Sequence, residues 1–185
     1  LLGWSHPDGK EIFALDEFIK LFELKDLNPV APVFDLTKLE WMNGEYIRKC
    51  TMNNLQLKIY DFFEGKYSKD QIEKTLPLVS GRMKKLKDWE ELTVFFRSKP
   101  ETFEEVPNKI YLAKIIPVLE NAVWEKEVME VHVRKLAKDM DVKSGELFMA
   151  IRDAITGKKA TPPILESMVV LGKEEAMWRL RQACK

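Results

Sequence analysis

Apolar residues recur at three- and four-residue spacing along almost all of this 185-residue chain, with no convincing strand-like alternation of any length. That period lines one face of a helix, so the expected fold class is all-α. Leu15, Phe18, Ile19 and Phe22 form the first stripe, with Asp16 as its N-cap or first-turn acid. Asp35 stands where it would cap a second helix bearing Leu36, Leu39 and Met42, and Asn43-Gly44 is expected to end or kink it. A third helix is expected from Thr51 through Leu55, Ile59, Phe62 and Phe63, stopping near Gly65. Ser68 and Gln71 fit a capping box ahead of Ile72 and Leu76.

A break is expected at Leu76-Pro77 and again at Ser80-Gly81, followed by a basic run at Arg82, Lys84, Lys85 and Lys87. Trp89, Leu92, Phe95 and Phe96 define one further helix. Two prolines, Pro100 and Pro107, punctuate the best candidate linker, which places a junction near Val106. Beyond it, Ile110, Ala113, Ile116 and Leu119 lead to a long helix bearing Trp124, Val128, Val131 and Leu136. Asp139-Met140-Asp141 turns the chain, and Ser144 is a candidate cap for a helix containing Leu147, Phe148 and Ile151. A helix, a basic turn, a Pro162-Pro163 helix start and a final amphipathic helix close the sequence.

Acidic and basic residues balance to a net charge of zero, so no strong global field draws the chain to nucleic acid. Any such function must come from local placement. Cys50 and Cys184 are far apart, which favours a reducing compartment over a disulfide framework. His6 and His132 are too few and too isolated for zinc. Apolar runs fall short of the roughly 18–20 residues that cross a bilayer. The start, Leu1-Leu2-Gly3-Trp4, has neither Met nor the form of a signal peptide and reads as the start of a cut fragment.

Four blocks carry a resemblance. They are Leu2-Gly3-Trp4-Ser5-His6-Pro7-Asp8-Gly9-Lys10 with Leu15-Asp16-Glu17-Phe18-Ile19; Pro32-Val33-Phe34-Asp35 with Lys38-Leu39-Glu40-Trp41-Met42-Asn43-Gly44; Arg82 with Leu86-Lys87-Asp88-Trp89; and Ile151-Arg152-Asp153-Ala154-Ile155-Thr156-Gly157 through Gly172-Lys173-Glu174-Glu175. In order and spacing they resemble the C-terminal, tRNA-binding part of bacterial-type glutamyl-tRNA synthetases. The likeness covers nearly the whole chain and is weakest over residues 98–140. It implies two or three small helical bundles in an elongated arrangement. Residues 1–106 would hold a stem-contacting lobe (about 1–50) and a first anticodon-binding bundle (about 51–106), with a second bundle over 107–185. The ATP signatures of class I synthetases, His-Ile-Gly-His-like and Lys-Met-Ser-Lys-Ser-like, do not occur here, nor does a glycine-rich phosphate loop. The resemblance therefore implies a fragment that makes no aminoacyl-tRNA alone, from a parent glutamate–tRNA ligase that uses ATP and Mg on its catalytic portion. Its expected partner is glutamate tRNA, met at the anticodon loop and inner arm by a monomer. Its expected location is the bacterial cytoplasm or an organelle.

The resemblance also carries site residues. Arg82 falls where the family reads the third anticodon base, cytosine in glutamate tRNA and guanine in glutamine tRNA. A guanidinium suits cytosine, whose O2 and N3 accept hydrogen bonds. Its presence leans towards the glutamate-specific kind of enzyme. Arg152 matches an arginine at the central anticodon region, Thr161 a residue that touches a base edge while capping the next helix, and Ile164 an apolar contact to the first anticodon base. Pro163 stands where the family often has glycine and removes a backbone donor. Lys84, Lys85, Lys87, Lys158 and Lys159 are expected to meet phosphates, positioning RNA without reading sequence.

Without the resemblance each residue reads more plainly. Arg82 is a solvated helix-start cation, Arg152 with Asp153 a surface pair, Thr161 an N-cap, and the lysines a wet face. The five tryptophans read as core, His132 as a structural or surface residue, and His6 as part of a polar turn with no chemistry. The rival function is a neutral helical protein–protein interaction module without RNA-binding activity.

Overall fold

Three helix starts follow from side-chain oxygens that take up otherwise orphaned N–H groups. Asp35 Oδ1 accepts from Lys38 N at 3.0 Å, and Thr51 Oγ1 from Asn54 N at 3.4 Å. Ser68 and Gln71 form the reciprocal capping box, with both bonds at 3.1 Å. Each such cap stabilises its helix by about 1 kcal/mol. The computed structural model describes residues 3–29, 33–100, 109–158 and 161–185. The expected linker from 101 and the junction at Val106 lie outside these.

The described helices are α1 (Leu15–Leu21), α2 (Leu36–Lys49), α3 (Met52–Phe62), α4 (Lys69–Val79), α5 (Asp88–Thr93), α6 (Lys109–Glu120), α7 (Lys126–Asp139), α8 (Ser144–Thr156), α9 (Ile164–Leu171) and α10 (Lys173–Cys184). Short 3-10 turns occupy Leu24–Asp26, Ser80–Arg82 and Val94–Phe96. The described residues contain no strand, so the fold is all-α. None of their helices is long and apolar enough to cross a membrane.

Two buried clusters divide the helices. Ile47, Leu55, Ile59, Ile72, Leu76, Val79, Met83 and Trp89 unite the end of α2 with α3, α4 and α5 in a first bundle. Leu112, Ile115, Leu119, Met129, Val133, Leu147, Ile151, Leu165, Met168 and Leu180 join α6 to α10 in a second. At the centre of the first, Trp89 is fully buried and donates its Nε1–H to Thr75 Oγ1 at 3.1 Å. The α4–α9 pair packs one bundle against the other.

The N-terminal region is built differently, for α1 buries none of its own residues. Its cohesion comes from Trp4, edge-on to Phe13 and Phe18 with centroids 5.7 and 5.1 Å away. His6 is a buried brace: its Nδ1 accepts from Asp8 N at 3.0 Å, which leaves Nε2–H to donate to Glu17 Oε1 at 3.1 Å. The expectation of a histidine in a merely polar turn is corrected accordingly.

Several other expectations are corrected. Asn43-Gly44 neither ends nor kinks α2, which continues to Lys49. Gly44 is buried in van der Waals range of Met83 O (a β-carbon there would lie 3.4 Å away), so the helix continues as a packed surface rather than stopping. α4 likewise runs through Pro77 to Val79. The missing N–H falls in the last turn, where burial of Leu76 and Val79 offsets a cost of about 3 kcal/mol. The helix of Trp89 ends at Thr93, and Phe95 and Phe96 fall in a 3-10 turn. Of the two readings of Asp16, that of a first-turn acid holds, the cap position being Ala14; Ser144 is the first helical residue and not the cap, which is Lys143.

In α6 and α7 the buried face is Leu112, Ile115, Leu119, Met129, Val133 and Ala137. Ile110 and Val131, assigned to that face by spacing, are exposed. Trp124 precedes α7 and donates to Met168 O at 3.1 Å. Trp41 and Trp178 are 45% and 37% exposed, so those two do not fill core.

Candidate nucleic-acid interface

The chain leaves α4 through the Ser80–Arg82 turn and enters α5 by a loop pinned from both sides. Within the loop, Asp88 Oδ2 accepts from the N–H groups of Lys84 and Lys85 at 2.7 and 2.9 Å. From α2, Asn43 Nδ2 donates to Lys84 O, and Glu40 Oε1 accepts from Lys85 Nζ at 2.6 Å. That charged hydrogen bond lowers the Glu40 carboxyl below its ordinary range and raises the Lys85 ammonium. Met83, fully buried, anchors the loop in the first core. Arg82 is therefore an exposed side chain on a fixed base, a stronger platform than a lone solvated cation.

The facing wall comes from the end of α8. Gly157 takes a left-handed φ of 66° and donates its N–H to Asp153 O, closing the helix. Thr156 Oγ1 donates to Arg152 O at 2.8 Å and accepts from Lys158 N at 3.1 Å, shaping the turn. Thr161 is 4% exposed. Its hydroxyl accepts from Arg152 Nε at 3.0 Å and donates to Pro162 O at 3.2 Å.

Thr161 does not cap α9, whose cap position is Pro163, without a side-chain cap bond. Its hydroxyl is committed to Arg152 and Pro162, which corrects the expected dual role. Ser167 Oγ donates back to Pro163 O at 2.7 Å, a bond within the first turn that leaves the cap position without a side-chain acceptor.

The two walls meet at Thr161. Arg82 Nη1 donates to the Thr161 carbonyl across 79 residues of sequence, while Arg152 holds the hydroxyl of the same residue. Lys158 Nζ makes a second crossing to Glu91 O at 3.5 Å. Arg82, Asp88, Leu92, Phe95, Lys158 and Thr161 line a cleft of about 260 Å³ there. Among the described residues no carboxylate is ion-paired to Arg82. The arrangement presents the planar Arg82 donors and the Lys158 ammonium beside an open cleft that Asp88 and Glu91 also line, a donor set suited to the acceptor edge of a base.

Of the residues expected at a site, Arg82, Arg152, Thr161 and Lys158 converge on this seam. Lys84 and Lys87 are exposed on the loop beside it, and Lys85 is tied to Glu40. Ile164 is 5% exposed within the second core, and its expected contact with a base has no exposed surface here. Lys159 lies outside the described residues. Sequence reasoning missed Arg179, 2% exposed behind the seam, because an arginine in an amphipathic final helix looks solvated. It also missed the pinning of the loop by Glu40 and Asn43, for which the mid-helix Gly44 was the available signal.

A helical seam carrying this donor set is the kind of surface an anticodon-binding module offers, and the family model for the anticodon binding domain matches residues 40–184. The chain belongs to that family. Similar proteins include the glutamate–tRNA ligase of Dehalococcoides mccartyi strain CBDB1, 32% identical over 202 residues, covering 99% of this chain and 42% of the relative. That of Clostridium tetani is 34% identical over 197 residues, covering 98% of this chain and 40% of its own length. Among solved structures, the glutamate-tRNA synthetase of Elizabethkingia anophelis matches with a TM-score of 0.81 at 25% identity, over 100% of this chain and 38% of that one. The glutamate tRNA ligase of Elizabethkingia meningosepticum, in complex with its amino acid, shares the fold at a TM-score of 0.81 and 24% identity, over 100% of this chain and 39% of that one. This chain thus spans about two-fifths of the length of the ligases it matches and corresponds to their C-terminal, anticodon-binding part.

Proposed function

We propose that this chain recognises the anticodon of glutamate tRNA as part of a glutamate–tRNA ligase whose catalytic portion, with its ATP and Mg, lies outside the sequence described. The observation that carries the reading is the convergence of Arg82 and Arg152 on Thr161 at the edge of an open cleft. An unstacked cytosine entering the cleft presents O2 and N3 to the guanidinium of Arg82. Guanine places N–H donors at its Watson–Crick edge against the same donors and is rejected. RNA readout of this kind targets splayed-out loop bases, which an anticodon loop provides. A base-edge contact of this type is worth about 1–3 kcal/mol of discrimination.

Lys87 and Lys158 would steer the phosphates, with Lys84 only loosely held by Glu40 at 4.0 Å, whereas Lys85 must first release the same carboxylate at 2.6 Å. Residues near 1–50 would lie along the inner arm of the tRNA, with the bundles near 51–106 and 107–185 gripping the loop. The chain would act as a monomer in a bacterial cytoplasm or an organelle. Aminoacylation would belong to the parent ligase and not to this chain alone.

The test is titration of a fluorescent glutamate anticodon stem-loop at several salt concentrations. Three to four neutralised phosphates give a slope of log K against log salt of about −2 to −3. Lys158→Ala is expected to reduce that slope by roughly one phosphate's share, and Lys85→Ala by less. A chain that ignores the loop, or binds it with no salt dependence, is instead a protein-docking module.

A further inference from the structure

Behind the seam, α10 places a second guanidinium between the bundles. Arg179 Nη1 donates to Phe95 O and Ile155 O, each at 2.8 Å, and Nη2 reaches Ser98 O at 3.4 Å. Its Nε donates to Glu175 Oε1 at 2.8 Å, which neutralises the charge within one helix. Phe95 and Ser98 belong to the segment that closes the first bundle. Ile155 lies three residues after Arg152 on α8 of the second. Phe95 also lines the cleft with Arg82 and Thr161. One planar cation, itself 2% exposed, therefore grips the backbone of both segments that wall the cleft.

Resting on the anticodon reading above, we infer that Arg179 is a positioning residue for base recognition. Its guanidinium fixes the spacing and angle of the two bundles, so that Arg82 from one stays seated against the Thr161 carbonyl of the other and the cleft between them keeps its fit to one base. Hydrogen bonds of roughly 2.7–3.2 Å lose strength steeply once distance and angle drift. A hinge left loose behind the cleft therefore degrades discrimination more than it degrades phosphate contact. The donors of a guanidinium lie in a rigid fork, and a lysine ammonium cannot hold carbonyls from separate segments in that plane. The role differs from general stabilisation because it acts on selectivity.

The experiment uses the full 185-residue chain with Cys50→Ser and Cys184→Ser, spin-labelled at Lys74→Cys on α4 and Lys135→Cys on α7. The inter-label distance distribution is measured with and without Arg179→Met. In parallel, unlabelled chains are titrated with stem-loops bearing cytosine or guanine at the third anticodon position. The expected result is one narrow distance in the parent and a broadened one in the variant. The cytosine preference should fall by at least about fivefold, while affinity for the guanine loop changes by less than roughly twofold. Arg179→Lys should restore folding without restoring the preference.

An unchanged distance distribution, or a broadened one with the preference intact, overturns the inference. If Arg179→Met does not fold, Arg179→Lys and Glu175→Gln carry the same two comparisons. Should the parent show no preference for cytosine, the anticodon reading fails. The distance distributions then decide separately whether Arg179 holds the bundles together.

Discussion

The front and the back of the inter-bundle seam each hold an arginine, and the fold treats them in opposite ways. Arg82 is exposed, with its cross-seam hydrogen bond made to one backbone carbonyl. Arg179 is 2% exposed and engages four acceptors from its own helix and two other segments. A guanidinium so enclosed is part of the frame, since releasing it would strand buried carbonyls and a charge. One held by a single bond at a cleft mouth can exchange that bond for a ligand's at little cost. On the proposed reading the same side chain would serve rigidity on one side and recognition on the other, with burial deciding which.

The largest effect expected from this contrast is on stability. Arg179→Met should destabilise the chain by about 3 kcal/mol, since buried acceptors lose a charged donor. For a chain of this size that is a fall in melting temperature of roughly 6–12 °C. Arg82→Ala should stay within about 0.5 kcal/mol of the parent, as exposed substitutions do. Thermal melts of the two variants side by side test the pair, and equal losses would break the contrast.

A smaller effect sharpens it. Thr161→Val keeps the backbone carbonyl that Arg82 uses but removes the hydroxyl that Arg152 holds. Urea unfolding should show a loss of about 1–2 kcal/mol for the half-buried donor left without its acceptor. The preference for cytosine, which on this account comes through Arg82, should persist in stem-loop titrations. Its disappearance would move the reading function from Arg82 to Thr161.

Much of the fold was legible where the signal was local. Asp35 and the Ser68–Gln71 box announced their helices because a cap and its N–H lie within three residues of each other; the Thr51 cap went unread beside the apolar stripe that marked its helix. Gly44 and Pro77 misled for the same reason: locally they break helices, and only packing against Met83 and the burial of Leu76 and Val79 keeps α2 and α4 running. The face of α6 was misread because Ile110, Leu112, Ile115 and Ile116 make it apolar on more than one side. Of the candidate site, the sequence supplied Arg82, Arg152 and Thr161 through family likeness. No spacing could show that residues 82 and 161 touch. Arg179 was illegible because most of its acceptors are backbone oxygens, which every residue carries.

The most direct measurement is a cycle between Arg82 and the third anticodon base. Parent and Arg82→Ala are each titrated with stem-loops carrying cytosine or guanine at that position, at one fixed salt concentration. The expected coupling is about 1–3 kcal/mol, with the parent favouring cytosine and the variant nearly indifferent. Equal preference in both proteins, whatever their affinities, would contradict it.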